Sequence, residues 1–185
     1  MKIYVVGSVA SGKTTFAKKI SNELEIHCTH LDSVVHVNDK ENREWGNTKR
    51  TEEEITQLFE EVISKQNWII EDAGRKQFRN GMEVADLVVH LKPSRLVKKK
   101  RILTRYFRQK MGLEDCLYTP SLHMLKFLFR ALNKYETGED DLEIRLNQYK
   151  HKTVILKNSN EVKHFIRSLK EENEARDKLK VFAGY

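Results

Sequence analysis

Cysteine is scarce in this chain, with two residues, Cys28 and Cys116, among 185. Their spacing suits neither a metal site nor a redox pair. A disulfide framework is therefore excluded, and reduced thiols in a cytoplasmic protein are expected. No apolar run approaches the roughly 20 residues that cross a bilayer, so neither a span nor a membrane partner is expected. Met1-Lys2 leads straight into an apolar run, with no leader-like segment. The seven histidines are scattered and show no zinc-like spacing, which makes them structural or surface residues. Repeats, low-complexity linkers and helix-turn-helix, zinc-finger or OB patterns are also lacking. The remainder is ordinary in composition, 39% hydrophobic and 33% charged, and long enough for one domain with a good core. A net charge of +7 suits either a surface for nucleic acid or a cleft for nucleotide phosphates.

One stretch organises the rest. Gly7-Ser8-Val9-Ala10-Ser11-Gly12-Lys13-Thr14 reads G-x-x-x-x-G-K-[ST], follows the strand-like run Lys2-Ile3-Tyr4-Val5-Val6, and opens a helical pattern. In that setting the backbone N–H groups turn inward and cradle a polyphosphate, and the helix N-terminus adds its positive dipole end. Lys13 can reach β- and γ-phosphates, and the Thr14 hydroxyl can ligand magnesium. Thr15 completes the expected nucleotide-binding run from Gly7.

Strands and helices alternate beyond it. Phe16, Ile20 and Leu24 form the stripe of a first helix. His27–Leu31 reads as a strand ending at Asp32, which would either face a substrate hydroxyl or amine or cap the next element. Residues 37–50 are polar and without a period, and carry Arg43, Lys49 and Arg50; a substrate-gathering segment or a solvated connection is expected. Thr51-Glu52-Glu53-Glu54 is a capping box ahead of a helix. Trp68-Ile69-Ile70 is a short strand that ends in Glu71-Asp72-Ala73-Gly74-Arg75. Two carboxylates at such a tip suit a metal-water or base position, and the planar fork of Arg75 suits a phosphate.

Asp86–Leu91 reads as a strand buried on both faces. On the helix from Arg95 to Gly112, Leu96, Leu103, Phe107 and Met111 share one face and Arg101, Arg105 and Arg108 another, with lysines as a solvated basic face. Arginines beside the P-loop would neutralise a transferring phosphoryl group. Thr119-Pro120-Ser121 suggests a cap with proline at the first helical position, followed by a helical lid bearing Arg130. Lys152–Leu156 is the last strand, and Ser159 caps the last helix.

The P-loop, Trp68–Arg75, Ala85–Val89 and the Arg101/Arg105 helix, in that order, resemble the adenylate-kinase-like branch of P-loop kinases. Over roughly residues 1–170 the chain is most similar to the bacterial DNA topology modulation, or FlaR-related, proteins. The resemblance implies a three-layer α/β/α P-loop NTPase fold. It would have a five-stranded parallel sheet of order 2-3-1-4-5 and a helical lid at about 112–149. The domain would cover 1–172, ahead of a charged tail at 173–185. It also implies ATP as donor and magnesium held by Thr14 and Glu71, directly or through water. Glu71 and Arg75 would occupy the metal and acceptor-phosphate positions, and Arg101 and Arg105 would match a phosphate-binding pair.

The function that follows is an ATP-dependent phosphotransferase. Lys13, Arg101 and Arg105 would be catalytic, and Asp32 and Arg75 would bind a nucleotide or other small acceptor. An ATP-binding, DNA-associated protein and a simple ATPase are the alternatives.

Overall fold

A computed structural model describes every residue except 40, 43, 115, 117, 118, 184 and 185, and side chains as far as residue 175. Arg43 therefore lies outside the described residues. Five parallel strands form the central sheet: β1 (Lys2–Val6), β2 (Cys28–His30), β5 (Trp68–Asp72), β6 (Leu87–Leu91) and β7 (Thr153–Leu156). Their spatial order is β2-β5-β1-β6-β7. Counted among the parallel strands alone, this is second, third, first, fourth, fifth. The labels shift because a two-stranded antiparallel hairpin, β3 (His36–Asn38) with β4 (Asn47–Lys49), intervenes. The polar residues from 37 to 50 gave no sign of that hairpin, since neither strand is buried enough to impose an apolar alternation.

Strand alternation divides the core into two layers. Ile3 and Val5 of β1, with Ile69 and Val89, pack against α1 (Lys13–Leu24) and the near half of α8 (Ser159–Ala183). Tyr4 and Val6, with Trp68, Ile70 and Val88, pack on the other side. That layer is built from α2 (Leu31–Val35), α3 (Glu52–Ile63), α4 (Arg79–Val84) and α7 (Leu142–Asn147). Both sheet faces are covered, which is why the strands read as continuous apolar runs. The capping box at the start of α3 forms as expected: the Glu54 N–H donates to Thr51 Oγ1 at 3.2 Å, and the Thr51 N–H to Glu54 Oε2 at 2.9 Å.

Three expectations are corrected. In α5 (Arg95–Lys110) the buried positions are Lys98, Ile102, Tyr106 and Gln109, whereas Leu96, Leu103, Phe107 and Met111 are exposed. The helix turns its aromatic and amphipathic side chains inward because partners await them there. Lys98 Nζ meets Glu136 Oε1 at 2.5 Å and lies 4.5 Å above the Tyr135 ring, so Lys98 is not part of a solvated face. In α6 (Leu122–Thr137) the cap is Ser121, whose hydroxyl accepts the Met124 N–H at 3.1 Å. Pro120 therefore precedes the cap and is not the first helical residue. The last helix, α8, continues through the charged tail to Ala183, one of the two outcomes expected for it.

Candidate functional site

The site lies at the carboxyl ends of β1, β2 and β5, where the strand order reverses and ligands of open parallel sheets bind. Residues 7–12 turn sharply between β1 and α1. A Cβ on Gly7 would sit 2.5 Å from the Leu91 carbonyl oxygen, so only glycine lets β1 leave the sheet there. Gly12 has φ +98°, and Ala10, despite its Cβ, has φ +58°. A non-glycine residue in the left-handed region is a strained feature that recurs at functional turns.

Lys13 is buried and folds back into the loop, where its ammonium donates to Ser8 O at 3.0 Å. Burial lowers its pKa, while the carboxylates of Glu71, Asp72 and Asp32 oppose that shift. Glu71 Oε1 lies 3.7 Å from Lys13 Nζ. The other oxygen, Oε2, accepts the Thr14 hydroxyl at 3.4 Å and lies 2.9 Å from His30 Nδ1. The Thr14 hydroxyl and the Glu71 carboxylate form a hard-oxygen pair beside the phosphate loop, a donor set that fits magnesium.

Glu71 and Asp72 are neighbours in β5 and therefore face opposite sides of the sheet. This corrects the expectation of a joint carboxylate position. Asp72 is 1% exposed and points toward Tyr4, whose hydroxyl donates to Oδ2 at 3.2 Å. The same oxygen accepts the N–H groups of Gly74 at 2.7 Å and Arg75 at 2.6 Å. Oδ1 takes the Arg75 guanidinium at 2.6 Å. Asp72 thus shapes the turn after β5. Its charge and burial also push the Tyr4 hydroxyl pKa up, burial being the larger cause.

The second arm of the Arg75 guanidinium grips Asp32, in the first turn of α2. The N-cap position of α2 belongs to His30 and not to Asp32. Burial alone would favour its neutral form, but Arg75 outweighs that and holds the carboxyl below its usual range. Arg75 is raised in turn: burial opposes its charge, and Asp72 and Asp32 overcome it. With both arms engaged by carboxylates, Arg75 positions Asp32 and does not present a free fork to an acceptor phosphate.

Arg101 sits where the P-loop needs it, donating to the carbonyls of Ala10 at 3.1 Å and Ser11 at 2.8 Å. Arg105 does not join it. It pairs with Glu114 at 3.2 Å, and its side chain is 61% exposed. Arg130 lies with Arg95, Lys99 and Asn133 between α5 and α6, along a cavity of about 330 Å³. The helical insertion is nevertheless tied to the site region: His90 Nε2 of β6 lies 2.8 Å from the Tyr135 hydroxyl. At the hairpin tip, Trp45 meets Phe127 of α6 edge-on at 5.2 Å, and Glu44 pairs with His123 at 2.9 Å.

Three participants escaped the sequence reading. His30 stands opposite Glu71 in the β2–β5 register, so pairing β2 correctly would have revealed it. Tyr4 shares a sheet face with Asp72, a relation visible only once β1 and β5 are aligned. Arg145 donates to Gly74 O at 2.7 Å and to Asp141 at 2.6 Å, locking the turn after β5 to α7. No local pattern announces that bond across 71 positions.

No protein-family model matches the sequence, and no curated protein matches it. Solved structures do resemble it. A shikimate kinase from Bacteroides thetaiotaomicron has a TM-score of 0.55 at 18% identity, covering 94% of this chain and 98% of that one. A shikimate kinase from Acinetobacter baumannii, in complex with shikimate, has a TM-score of 0.53 at 16% identity, covering 95% and 93%. A gluconokinase from Sinorhizobium meliloti 1021 has a TM-score of 0.52 at 15% identity, covering 100% and 97%. These likenesses establish the fold: the chain shares the α/β architecture of those kinases, with its five-stranded parallel sheet.

Proposed function

We propose that the chain is a magnesium- and ATP-dependent phosphotransferase acting on a hydroxyl group of a small molecule. One observation carries this reading: the Lys13–Thr14–Glu71 cluster lies within electrostatic reach of Asp32, whose carboxyl Arg75 holds below its usual range, and Arg75 is itself engaged by two carboxylates.

In this reading the loop N–H groups and Lys13 take the donor β- and γ-phosphates. Thr14 and Glu71 would hold the metal, directly or through water, and it would supply charge neutralisation for the transfer. His30 orients Glu71 through the Nδ1 contact. Arg101, fixed on the loop carbonyls, places positive charge at the loop mouth where phosphoryl charge spreads. Arg105, paired with Glu114, has no part in the step.

Asp32 accepts the hydrogen bond of the acceptor hydroxyl and aims its oxygen at the γ-phosphorus. The new oxygen–phosphorus bond forms as the bond to the nucleoside diphosphate breaks, and the hydroxyl proton leaves by way of Asp32. A loose phosphoryl-transfer transition state needs a well-placed oxygen more than a strong base. An Asp kept ionised by Arg75 suits that role. A monophosphate acceptor would face two carboxylates against one guanidinium, which disfavours it.

The test is an ADP-release assay with magnesium–ATP across polyols, hydroxy acids, nucleosides and nucleoside monophosphates. Turnover is expected with one hydroxyl acceptor class, lost on chelation and in Lys13→Ala with the fold intact. No acceptor-dependent release across the panel sinks the kinase reading. Turnover confined to monophosphates sinks the hydroxyl assignment. Rapid hydrolysis without any acceptor identifies an ATPase instead.

A further inference from the structure

The outward face of α5 has no use in the reaction, yet it is unusual. Leu96 is 77% exposed, Phe107 56%, Met111 63% and Leu103 40%. At seven-, four- and four-residue steps these side chains form one continuous stripe, opposite the buried Ile102 and Tyr106. The stripe is about 22 Å long at 1.5 Å per residue. Arg95–Lys110 contains eight lysines and arginines and no acidic residue (RLVKKKRILTRYFRQK). Lys100 lies within the stripe, and Lys99 and Lys110 flank one side. Among the described residues Glu114 sets a carboxylate against this face, on Arg105 and Arg108 at its far edge.

The geometry points to α5 as a peripheral docking face for an anionic bilayer surface. Three occupants compete, and charge and shape decide among them. A second copy of this chain would bring the same basic face, and like charges repel. Nucleic acid would use the lysines but would leave four large apolar side chains in water. A bilayer carrying anionic lipids takes both: the apolar stripe enters the boundary between headgroups and acyl chains, and the flanking lysines meet the headgroup charge. The stripe runs along a single helix, a line of side chains that can lie flat on a surface. This is contact with a surface and not a span, since no helix among the described residues is long and apolar enough to cross a membrane.

Vesicle co-sedimentation of the full chain decides it. Phosphatidylcholine vesicles containing phosphatidylglycerol should bind the protein, and pure phosphatidylcholine vesicles should bind it far less. Each basic side chain at such a surface strengthens partitioning about fivefold, so Lys100→Glu should weaken it by more than that. Phe107→Ser combined with Met111→Ser should lower partitioning about tenfold or more, with fold and ATP binding intact, because both positions are exposed. Binding to the charged vesicles unchanged by that double variant would mean plain electrostatics and overturn the proposal. So would absence of vesicle binding at low salt, or a dimer that the double variant dissolves. Preferential binding of duplex DNA, insensitive to the double variant, would overturn it as well.

Discussion

The two halves of the crevice are built in opposite ways. The proposed donor half is a contiguous run, Gly7 to Thr14, whose turn is set by backbone, with Ala10 and Gly12 in the left-handed region. The acceptor half is a set of side chains drawn from distant places. Asp32, Asp72 and Arg75 lock together, and Arg145 fastens their turn from α7. A backbone cradle is defined by φ and ψ and tolerates many side chains. A side-chain assembly depends on each partner, and losing Arg75 leaves the buried Asp72 carboxylate without its ion pair. Stability and function should therefore separate in the donor half and fall together in the acceptor half.

Asp72→Ala gives the largest test of that contrast. It removes the acceptor of four bonds in a position 1% exposed. Breaking a buried charged network of this kind costs about 3–5 kcal/mol. Chemical denaturation should show that loss, and acceptor KM should rise in whatever protein still folds. Tyr4→Phe removes one donor only and should cost about 1 kcal/mol. If Asp72→Ala unfolds at the wild-type denaturant concentration, the acceptor half is not an interlocked unit.

What both halves share is the helical insertion, and its tie to the sheet should depend on pH. Burial lowers the His90 pKa from 6.5 to about 4. Between those values the unfolded chain binds the proton and the folded chain does not, so stability falls as pH drops from 6.5 toward 4. The full loss is about 3 kcal/mol, and above pH 6.5 the stabilisation is fully present. His90→Gln, which can still bond Tyr135, should flatten that part of the stability–pH curve. An unchanged slope would mean that His90 titrates freely.

Legibility in the sequence follows the same division. The P-loop was readable because its residues are consecutive and its physics is local. The five strands were readable because burial on both faces makes apolar runs. Glu71 was found by its place at a strand tip, but pairing it with Asp72 ignored the alternation that sends the two to opposite faces. Arg75 was singled out, but its two carboxylate partners were not, since only the fold brings Asp32 and Asp72 onto its fork. In α5 the spacing of Leu96, Leu103, Phe107 and Met111 predicts the apolar face, but Lys98, Ile102 and Tyr106 go inward because Glu136 and Tyr135 wait there. Tertiary partners overrule an amphipathic count when the buried lysine finds a carboxylate.

In the donor half, Arg101 and Arg105 offer a sharper contrast at smaller cost. Both were expected to serve phosphate, yet only Arg101 touches the loop. Arg101→Ala should lower kcat by about tenfold to a hundredfold with little change in melting temperature, because the cradle itself is backbone. Arg105→Ala should leave kcat within about twofold, since an exposed ion pair is worth under about 1 kcal/mol. Equal losses in the two variants would show that Arg105 swings in during turnover and that the Glu114 pair is a resting contact.

The smallest expected effect probes the contact between the hairpin and α6. Trp45 packs edge-on against Phe127 at 5.2 Å and lies 6.0 Å from His123. An aromatic pair of this geometry contributes about 0.5–1.5 kcal/mol beyond its buried area. Half-exposed Phe127 keeps the contact near the low end of that range. Trp45→Ala should therefore cost about 1 kcal/mol in stability, loosen the hairpin from α6, and leave ATP affinity unchanged. Its kinetic signature should be a raised acceptor KM and more ATP hydrolysis without acceptor, because water enters where the hairpin met the helix. A variant that hydrolyses no more ATP than wild type would place the hairpin outside the acceptor enclosure. The boundary of the acceptor half would then shrink to Asp32, Asp72 and Arg75.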